Sequence, residues 1–475
     1  MNKLHVSILD DKMPKQDYMC DYDSVVHDIW RSNCKVIVLD DDPTGVQTVH
    51  NVMVLTNWGV GSLIAAMQRD EPVFYILTNS RSLTAQETRA LHTEIVRNIL
   101  SAAKASGVEF EIISRGDSTL RGHYPLETQV IKDELESGSS VKIDGEIICP
   151  FFKEGGRYTL NDVHYVLEQD QLVPAADTEF AQDATFGYSH SNLKHWIEEK
   201  TKGAYLASKC MSISLEMLRQ GGASQVRDAL LQAQDFQKIV VNAVSYEDLQ
   251  VFIEGLLLSK VQGKRFLYRT AASFVRVRGG IRARNLLQKT EMVIDQGENG
   301  GLIIVGSHVK KTTLQLNALM DSEDVLALEF NVEAIQEDRE EQEIHSLQSK
   351  LEEAIGMGQT VVVYTSRNLV KVTDRQAESN LSFSVLVSKA LVSLVQRLSV
   401  RPKYIVTKGG ITSSDIGFKG LGVAQALVLG QILPGIPVWR LGQEAKYPGL
   451  PFIIFPGNVG DQQDLTQAVK ILDNQ

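Results

Sequence analysis

The sequence predicts a two-domain α/β protein in which each domain is built on a mainly parallel sheet flanked by helices. Three observations lead to this prediction. Short apolar runs of strand length alternate with helical patterns along the chain, as in repeated βαβ units. Most of these runs end in a polar loop, and ligand sites collect at such loops in parallel sheets. The chain has 475 residues, which is too long for one ordinary hydrophobic core.

The pattern restarts after a stretch rich in Asp, Gly, Glu and Asn at residues 293–301. We therefore divide the chain into an N-terminal arm (residues 1–34), a first domain (residues 35–292) and a second domain (residues 293–475). A helix over residues 276–287 would connect the two domains.

The composition excludes several classes of protein. A net charge of -11 argues against nucleic acid as a main partner, because neutralising phosphates requires a basic face. No apolar run approaches the ~20 residues that a membrane span requires, and the N-terminus shows no signal-peptide core. The four cysteines have no metal-ligand spacing and are expected to be free thiols. We expect a cytoplasmic protein.

The first domain alternates strands with helices. Its predicted strands are residues 35–39, 52–55, 73–77, 108–113, 146–149, 239–243 and 266–269. Thr84, with Glu87 at capping-box spacing, predicts the start of a helix after the third strand. Residues 156–185 show no period, and we expect them to be irregular.

The first predicted strand runs directly into Asp40, Asp41 and Asp42, and Pro43 and Gly45 then turn the chain. Three adjacent carboxylates repel one another, so they require a cation, a hydrogen-bond donor or a hydroxylic ligand. A solvated acidic turn is the alternative explanation.

Three other strand ends of the first domain carry arginine. The strand at residues 73–77 leads to Arg81, and the strand at 146–149 leads to Arg157. The loop after the strand at 108–113 contains Asp117, Ser118, Thr119 and Arg121. Guanidinium groups hold carboxylates or phosphates bidentately, and an ionised aspartate can accept a hydroxyl proton. The loops together predict a pocket for a small polyhydroxy acid, although ion-pair networks would also explain each loop.

The second domain repeats the alternation. Its predicted strands are residues 302–305, 325–330, 360–364, 404–407 and 452–455, and its main helices are residues 337–353 and 381–398. Three strand ends carry small residues, namely Gly306-Ser307, Gly409-Gly410-Ile411-Thr412 and Pro456-Gly457-Asn458. Glycine lets the backbone approach a phosphate or purine closely, and helix starts receive phosphates. These loops favour a nucleotide site over simple tight turns, but no P-loop or complete dinucleotide fingerprint occurs.

At these positions the chain resembles the four-carbon acid sugar kinases, which phosphorylate threonate, erythronate or 3-oxo-tetronate with ATP. The resemblance covers nearly the whole chain after residue 35, in the same domain order. Residues 117–122 are its most specific match. The other substrate-side matches are residues 41–45, 79–83 and 150–159, and the nucleotide-side matches are Gly306, Ser307, Thr312, Gln315 and residues 409–412 and 456–460.

The chain departs from the family pattern at four positions. Ile411 replaces the usual acid, Phe455 the usual lysine, Val459 the usual phenylalanine and Val309 a usual serine. The resemblance implies a two-domain kinase that holds the substrate in the first domain and ATP in the second. It places the active site in the cleft between them.

We expect an ATP-dependent phosphotransferase that acts on a terminal hydroxyl of a short acid sugar. Asp42 is the first choice for the residue that deprotonates this hydroxyl, and Asp117 is the second. The expected substrate-binding residues are Asp41, Arg81, Ser118, Thr119, Arg121 and Arg157. The expected nucleotide-binding residues are Ser307, Gly409, Gly410, Ile411, Thr412, Gly457 and Asn458. Mg²⁺ should accompany ATP through phosphate oxygens and water, so we expect no dedicated metal site in the protein.

Two other functions fit the same residues. A non-catalytic sensor would bind an acid sugar and a nucleotide without turnover, and the altered residues Ile411 and Phe455 keep this alternative open. A nicotinamide-linked dehydrogenase is disfavoured by the incomplete dinucleotide fingerprint. The expected partners are the acid sugar and ATP, with a homodimer as one possible assembly. The residues do not specify which acid is bound.

Overall fold

The structure is a computed structural model that describes residues 3–11, 13–139, 141–294, 297–307, 309–321, 325–367, 377–457 and 459–473. The chain forms two compact units, Met1–Ala283 and Arg284–Gln475. The predicted two-domain α/β architecture is confirmed. The second unit begins before the expected boundary at residue 293, because Leu287 and Met292 pack in its hydrophobic core.

The first unit contains the following elements. Its strands are β1 (Leu4–His5), β2 (Cys34–Asp40), β3 (Val52–Leu55), β4 (Val73–Leu77), β5 (Glu109–Arg115), β6 (Gly145–Cys149), β7 (Arg157–Leu160), β8 (Val163–Glu168), β9 (Gln171–Pro174), β10 (Met211–Ile213), β11 (Gln237–Val241) and β12 (Phe266–Thr270). Its helices are α1 (Ile8–Asp11), α2 (Tyr22–Arg31), α3 (Val60–Met67), α4 (Ala85–Ser106), α5 (Leu126–Gly138), α6 (Leu193–Lys200), α7 (Gly222–Leu231), α8 (Tyr246–Val261) and α9 (Ala272–Arg278).

The main sheet of the first unit is parallel throughout, with the strand order β10-β11-β6-β12-β5-β2-β4-β3. From β2 the chain adds β3 and β4 on one side and β5 on the other. The strand order therefore reverses at β2. Ligand sites of open α/β sheets lie in the crevice at such a reversal, outside the carboxyl ends of the strands.

Helix α4 shows how the sequence positions these loops. The Thr84 hydroxyl accepts a hydrogen bond from the Glu87 backbone N–H, and the Glu87 carboxylate accepts one from Thr84, which confirms the predicted capping box. Ile95 and Ile99 of α4 belong to the same hydrophobic core as Leu39 of β2. The helix thus packs on the core of the sheet that carries these loops.

A second, antiparallel sheet has the strand order β1-β9-β8-β7. The prediction of irregular structure over residues 156–185 is therefore wrong. Asn161 and Asp162 connect β7 and β8, and both have positive φ angles, of 51° and 63°. A two-residue turn with two positive φ angles joins a tight hairpin, and the short strands around it carried too little pattern to be recognised.

The predicted connecting helix over residues 276–287 is also wrong. Helix α9 ends at Arg278, where Gly279 and then Gly280, with a φ of +64°, terminate it. In the described part of the chain, no helix is both long and apolar enough to cross a membrane. The four cysteines are free thiols, as predicted.

The second unit contains a mixed sheet. Its helices are α10 (Lys289–Met292), α11 (Lys310–Met320), α12 (Glu333–Gln336), α13 (Glu340–Gly356), α14 (Ala377–Arg397), α15 (Gly410–Asp415) and α16 (Asp464–Asp473). Its strands, in spatial order, are β17 (Gln425–Leu433), β18 (Ile436–Leu441), β19 (Pro451–Phe455), β16 (Ile405–Lys408), β13 (Leu302–Val305), β15 (Thr360–Thr365) and β14 (Val325–Phe330). The strands from β19 to β14 are parallel, whereas the unpredicted strands β17 and β18 are antiparallel. The strand order reverses at β13, between β15 and β16.

Candidate functional site

Three aspartates lie at the carboxyl end of β2, where the strand order of the first unit reverses. Arg115 pairs with Asp40, with 3.3 Å between Nη1 and Oδ1. Arg81 pairs with Asp41, with 2.6 Å between Nη2 and Oδ1, and with Asp42, with 3.3 Å between Nη1 and Oδ2. The Asp40 and Asp41 side chains are each 2% exposed, whereas that of Asp42 is 17% exposed. Asp42 is therefore the acid of this group that a ligand reaches most easily.

The protonation of these acids differs. Burial raises the pKa of Asp40 to about 7, against the opposing effect of Arg115. Burial also disfavours charge on Asp42, but Arg81 and the hydrogen bonds from Thr44 outweigh it and lower the pKa of Asp42. The Thr44 backbone N–H and hydroxyl donate to Asp42 Oδ1 at 2.8 and 2.5 Å. Asp42 is therefore ionised at neutral pH.

Gly45 makes the acidic turn possible. A Cβ atom on Gly45 would lie 2.0 Å from Asp40 Oδ2. A side chain at position 45 would therefore displace the buried Asp40 carboxyl from its place beside Arg115.

The loop after β5 brings further predicted residues to the same edge of the sheet. Arg121 Nε lies 2.7 Å from Asp117 Oδ2, and the Thr119 hydroxyl donates to the same oxygen. Burial opposes ionisation of Asp117, but Arg121 and then Arg81 outweigh it and hold its pKa well below the usual range. Arg81 thus acts on both predicted catalytic acids, Asp42 and Asp117.

Arg269 and Glu127, which the sequence did not single out, support this loop from below. Arg269, on β12, forms a buried ion pair with Glu127 and donates to the Ser114 hydroxyl at 2.9 Å. A Cβ atom added to Gly116 would lie 2.4 Å from Arg269 Cζ, and one added to Gly122 would lie 2.8 Å from Arg269 Nη2. The loop therefore rests on the guanidinium. The rule that polar strand ends carry function could have identified Arg269.

Residues of the antiparallel sheet and of the segment after it also contact the loop that follows β5. His164 of β8 is buried, and its Nε2 lies 2.7 Å from the carbonyl oxygen of Ser118. Its Nδ1 lies 3.0 Å from the Thr159 hydroxyl. Burial lowers the pKa of His164 to about 4, so the ring is neutral and donates through Nε2 while Nδ1 accepts. The Tyr188 hydroxyl donates to the Thr119 carbonyl at 2.8 Å.

Arg157 of β7 brings a second arginine close to Arg121. The Cζ atoms of Arg121 and Arg157 lie 5.1 and 5.7 Å from the centre of the Phe180 ring. Arg121 is paired with Asp117 and is 3.9 Å from Asp183. Among the described contacts, no hydrogen bond or ion pair involves the Arg157 guanidinium, and its Nε is shielded from solvent. Burial lowers the pKa of Arg157.

In the second unit, three of the predicted glycine loops lie against one another. A Cβ atom on Gly409 would lie 3.0 Å from Ser307 Cβ, and one on Gly457 would lie 3.2 Å from Ser307 Oγ. The Thr412 hydroxyl would lie 2.4 Å from a Cβ atom on Gly306. Ser307, Gly409, Gly410, Thr412 and Gly457 therefore form one cluster at the reversal of the strand order.

Two side chains from helix α11 fix the last of these loops. The Thr312 hydroxyl donates to the Gly457 carbonyl at 3.2 Å, and the Gln315 amide donates to the Val459 carbonyl at 3.1 Å. The predicted Asn458 lies outside the described residues. Ile411, at the position where the family usually has an acid, is 67% exposed.

Two basic side chains that were not predicted as ligand contacts lie at these loops. Arg367, just after β15, donates from Nη2 to the Ser307 carbonyl at 2.7 Å. Lys408, at the end of β16, is buried and donates to the Pro456 carbonyl at 2.5 Å. Burial lowers the pKa of Lys408 to about 6. Lys408 is paired in register with Phe455, where the family usually has lysine.

Two domain families, one sugar-binding and the other nucleotide-binding, match the two halves of the chain. The sugar-binding N-terminal domain family matches residues 36–278, and the nucleotide-binding C-terminal domain family matches residues 302–465. The chain belongs to the family with this architecture, that of the four-carbon acid sugar kinases.

Two solved structures share the fold. A Haemophilus influenzae protein of the family DUF1537 is 20% identical, with a TM-score of 0.63, and the match covers 92% of this chain and 100% of that chain. A Salmonella typhimurium LT2 protein described as a putative tRNA synthase is 17% identical, with a TM-score of 0.66, and the match covers 91% of this chain and 98% of that chain. No curated protein matches the chain.

Proposed function

We propose that this protein is an ATP-dependent kinase that phosphorylates a terminal hydroxyl of a short acid sugar such as threonate, erythronate or 3-oxo-tetronate. The proposal depends on one observation above all. A reachable, ionised carboxylate, Asp42, lies among arginines at the strand-order reversal of a sugar-binding domain. A nucleotide-binding domain in the same chain would bind ATP, the second substrate.

The arginines differ in their freedom to bind the acid. Arg81 is committed to Asp41 and Asp42, and Arg121 to Asp117. Arg157 has no described carboxylate partner and lies beside Phe180. In the proposed complex Arg157 therefore makes the main contact with the substrate carboxylate, and Arg121 adds a second positive charge. Arg81 mainly keeps Asp41 and Asp42 in place.

Asp42 is the proposed base. The substrate hydroxyl gives its proton to the Asp42 carboxylate while its oxygen attacks the γ-phosphorus of ATP. The bond from that phosphorus to the oxygen bridging the β- and γ-phosphates then breaks, and ADP leaves. A positioned carboxylate contributes about 10²- to 10⁴-fold to such a step. Asp117 is the second candidate for this role.

The glycine cluster of the second unit is the proposed phosphate-binding surface. Ser307, Gly409, Gly410, Thr412 and Gly457 bring closely packed small residues together near the start of helix α11, and helix starts favour a phosphate. Mg²⁺ would supply charge neutralisation on the phosphates. The described loops offer it the hydroxyl oxygens of Ser307 and Thr412, which suit a metal held mainly by the nucleotide and water.

A coupled ADP-release assay with a panel of tetronates tests the proposal. We expect ADP release that depends on both ATP and one or more of the acids, and none with the corresponding neutral tetritols. Binding of ATP and an acid by calorimetry without ADP release from any of them would support the sensor instead. Protection from thermal unfolding by NAD but not by ATP would point to a dehydrogenase.

A further inference from the structure

Arg367 contacts the glycine cluster at Ser307, although nothing in the motifs identifies it. It follows β15, whose neighbour β13 carries the Gly306-Ser307 loop. Its Nη2 donates to the Ser307 carbonyl at 2.7 Å and to the Thr313 hydroxyl at 2.9 Å. These two bonds fix the guanidinium against the first turn of helix α11.

The rest of the guanidinium has no hydrogen-bond partner among the residues that the structure describes. Within that part of the chain, Nε and Nη1 of Arg367 are shielded from solvent and form no hydrogen bond. Among the described ion pairs, no carboxylate is paired with Arg367, and burial lowers its pKa. An unneutralised guanidinium in such a place is costly, and each unsatisfied buried group calls for an explanation.

A second arginine of the same unit shows that an unpartnered nitrogen alone does not indicate a ligand. Arg440 also has a shielded, unpartnered Nε, and its Nη2 donates to the Glu291 carbonyl at 2.9 Å. However, Arg440 is paired in register with Pro451, at the start of β19, whereas the Gly457 loop follows the end of that strand. Of these two arginines, Arg367 alone combines donors that lack a described partner with a contact to the glycine cluster.

We propose that Arg367 is the residue that binds the phosphates of the nucleoside triphosphate. The planar fork of Nε and Nη1 matches two phosphate oxygens, and phosphate supplies the negative charge that the protein does not. Because Nη2 stays on the Ser307 carbonyl, the same side chain would link the bound phosphate to the glycine loop. The inference rests on the proposed function, since it takes ATP as the ligand.

Calorimetric titration of the full-length protein with ATP, ADP and adenosine tests this role. We expect Arg367→Ala to weaken ATP binding by about 10- to 100-fold, the range for a hydrogen bond to a charged group, and to leave adenosine binding unchanged. Arg367→Lys should be intermediate, since it keeps the charge and loses the fork. Arg440→Ala is the matched control and should keep wild-type affinity for ATP.

The following outcomes would overturn the inference. Unchanged ATP affinity in Arg367→Ala would place the phosphates elsewhere, and equal losses for adenosine and ATP would make the residue structural. If Arg367→Ala does not fold, wild-type affinity in Arg367→Lys and Arg367→Gln would exclude the role. If the wild-type protein binds neither ATP nor tripolyphosphate, the proposed function is overturned as well. If the wild-type protein turns over ATP and the acid, and the Arg367 variants keep wild-type affinity for ATP, the inference alone is overturned.

Discussion

Asp42 and Asp117 are both ionised carboxylates beside arginines, but their surroundings differ. Asp117 Oδ2 accepts from both the Thr119 hydroxyl and Arg121 Nε, which ties the side chain to its own loop. The Asp42 carboxylate is held by Thr44 and Arg81. Its side chain is 17% exposed, whereas that of Asp117 is 12% exposed. These contacts favour Asp42 as the base and Asp117 as the group that orients Arg121.

Replacing each acid separately distinguishes the two roles. We expect Asp42→Asn to lower kcat by about 10²- to 10⁴-fold, because the hydroxyl loses its proton acceptor, with ATP affinity unchanged. Asp117→Asn should mainly raise KM for the acid. Steady-state kinetics measure both effects, and the reverse pattern would exchange the assignments.

Arg157 should determine the preference for an acid. We expect Arg157→Ala to raise KM for the acid substrate by about 10- to 100-fold, because a charge-assisted contact is lost. Weak binding of a neutral tetritol should not change. Arg97→Ala is the control, since Arg97 is 67% exposed and pairs with Glu134 on the surface. An equal loss for acid and tetritol would mean that Arg157 supports the fold only.

Gly45 offers a test of the acidic turn. Because a Cβ atom at this position would meet the Asp40 carboxyl, we expect Gly45→Ala to lower the free energy of unfolding by about 1–3 kcal/mol. Gly61→Ala, in helix α3, is the matched control. Apart from its chain neighbours and its own helical turn, no described residue lies within 4 Å of the added methyl group, so Gly61→Ala should leave stability unchanged or increase it. Denaturant unfolding measures both variants.

At the scale of elements, the antiparallel sheet of β1 and β7–β9 gives the substrate-side loop its shape. The Nε2 bond of His164 to the Ser118 carbonyl depends on a neutral ring. The pKa of His164 falls from 6.5 to about 4 in the folded protein because of burial. Between these two pH values the unfolded chain binds the proton more tightly than the folded protein does. The contribution of the neutral His164 ring to stability is therefore fully present above pH 6.5 and is lost as the pH falls toward 4.

His164→Gln should remove this pH dependence, because glutamine keeps a donor for the Ser118 carbonyl and does not titrate. We expect wild-type protein to lose up to about 3 kcal/mol of stability relative to the variant between pH 6.5 and pH 4. Parallel unfolding curves measured across this range would contradict a buried, neutral His164.

The elements that were predicted correctly are those with strong local sequence patterns. The apolar runs and the Thr84 capping box predicted most strands of the two main sheets and the start of α4, because buried parallel strands and helix caps leave local signals. The sheet of β7–β9 escaped prediction because its strands mix polar with apolar residues and form no continuous apolar run. Its hairpin turn at Asn161 and Asp162 was the only strong local signal.

At the scale of the whole molecule, the sequence predicted which loops carry candidate site residues. It did not predict which side chains of those loops contact one another. Arg269 and Glu127 are separated by 142 residues and Arg81 and Asp41 by 40. Strand-end patterns place such residues at one edge of a sheet, but they do not specify which carboxylate each arginine meets. The same limit hid Arg367, whose partners Ser307 and Thr313 are more than 50 positions earlier.

Each unit has its own core and its own reversal of strand order, at β2 and at β13. We therefore expect ligand binding to be separable in the full-length protein. Arg157→Ala should bind ATP with wild-type affinity, and Arg367→Ala should bind the acid sugar with wild-type affinity, because each removes a contact to one ligand. Calorimetry with each ligand alone measures this, and the loss of both affinities in either variant would contradict it.

The position of Arg269 beneath Gly116 and Gly122 has a consequence for protein engineering. A side chain introduced at either glycine would meet the guanidinium, which would have to shift where it pairs with Glu127, and breaking a buried ion pair is strongly destabilising. A mutant library aimed at new substrates should therefore keep Gly116 and Gly122 unchanged. Diversity introduced around Phe180 and Arg157 spares that ion pair, so directed evolution of ligand preference should begin there.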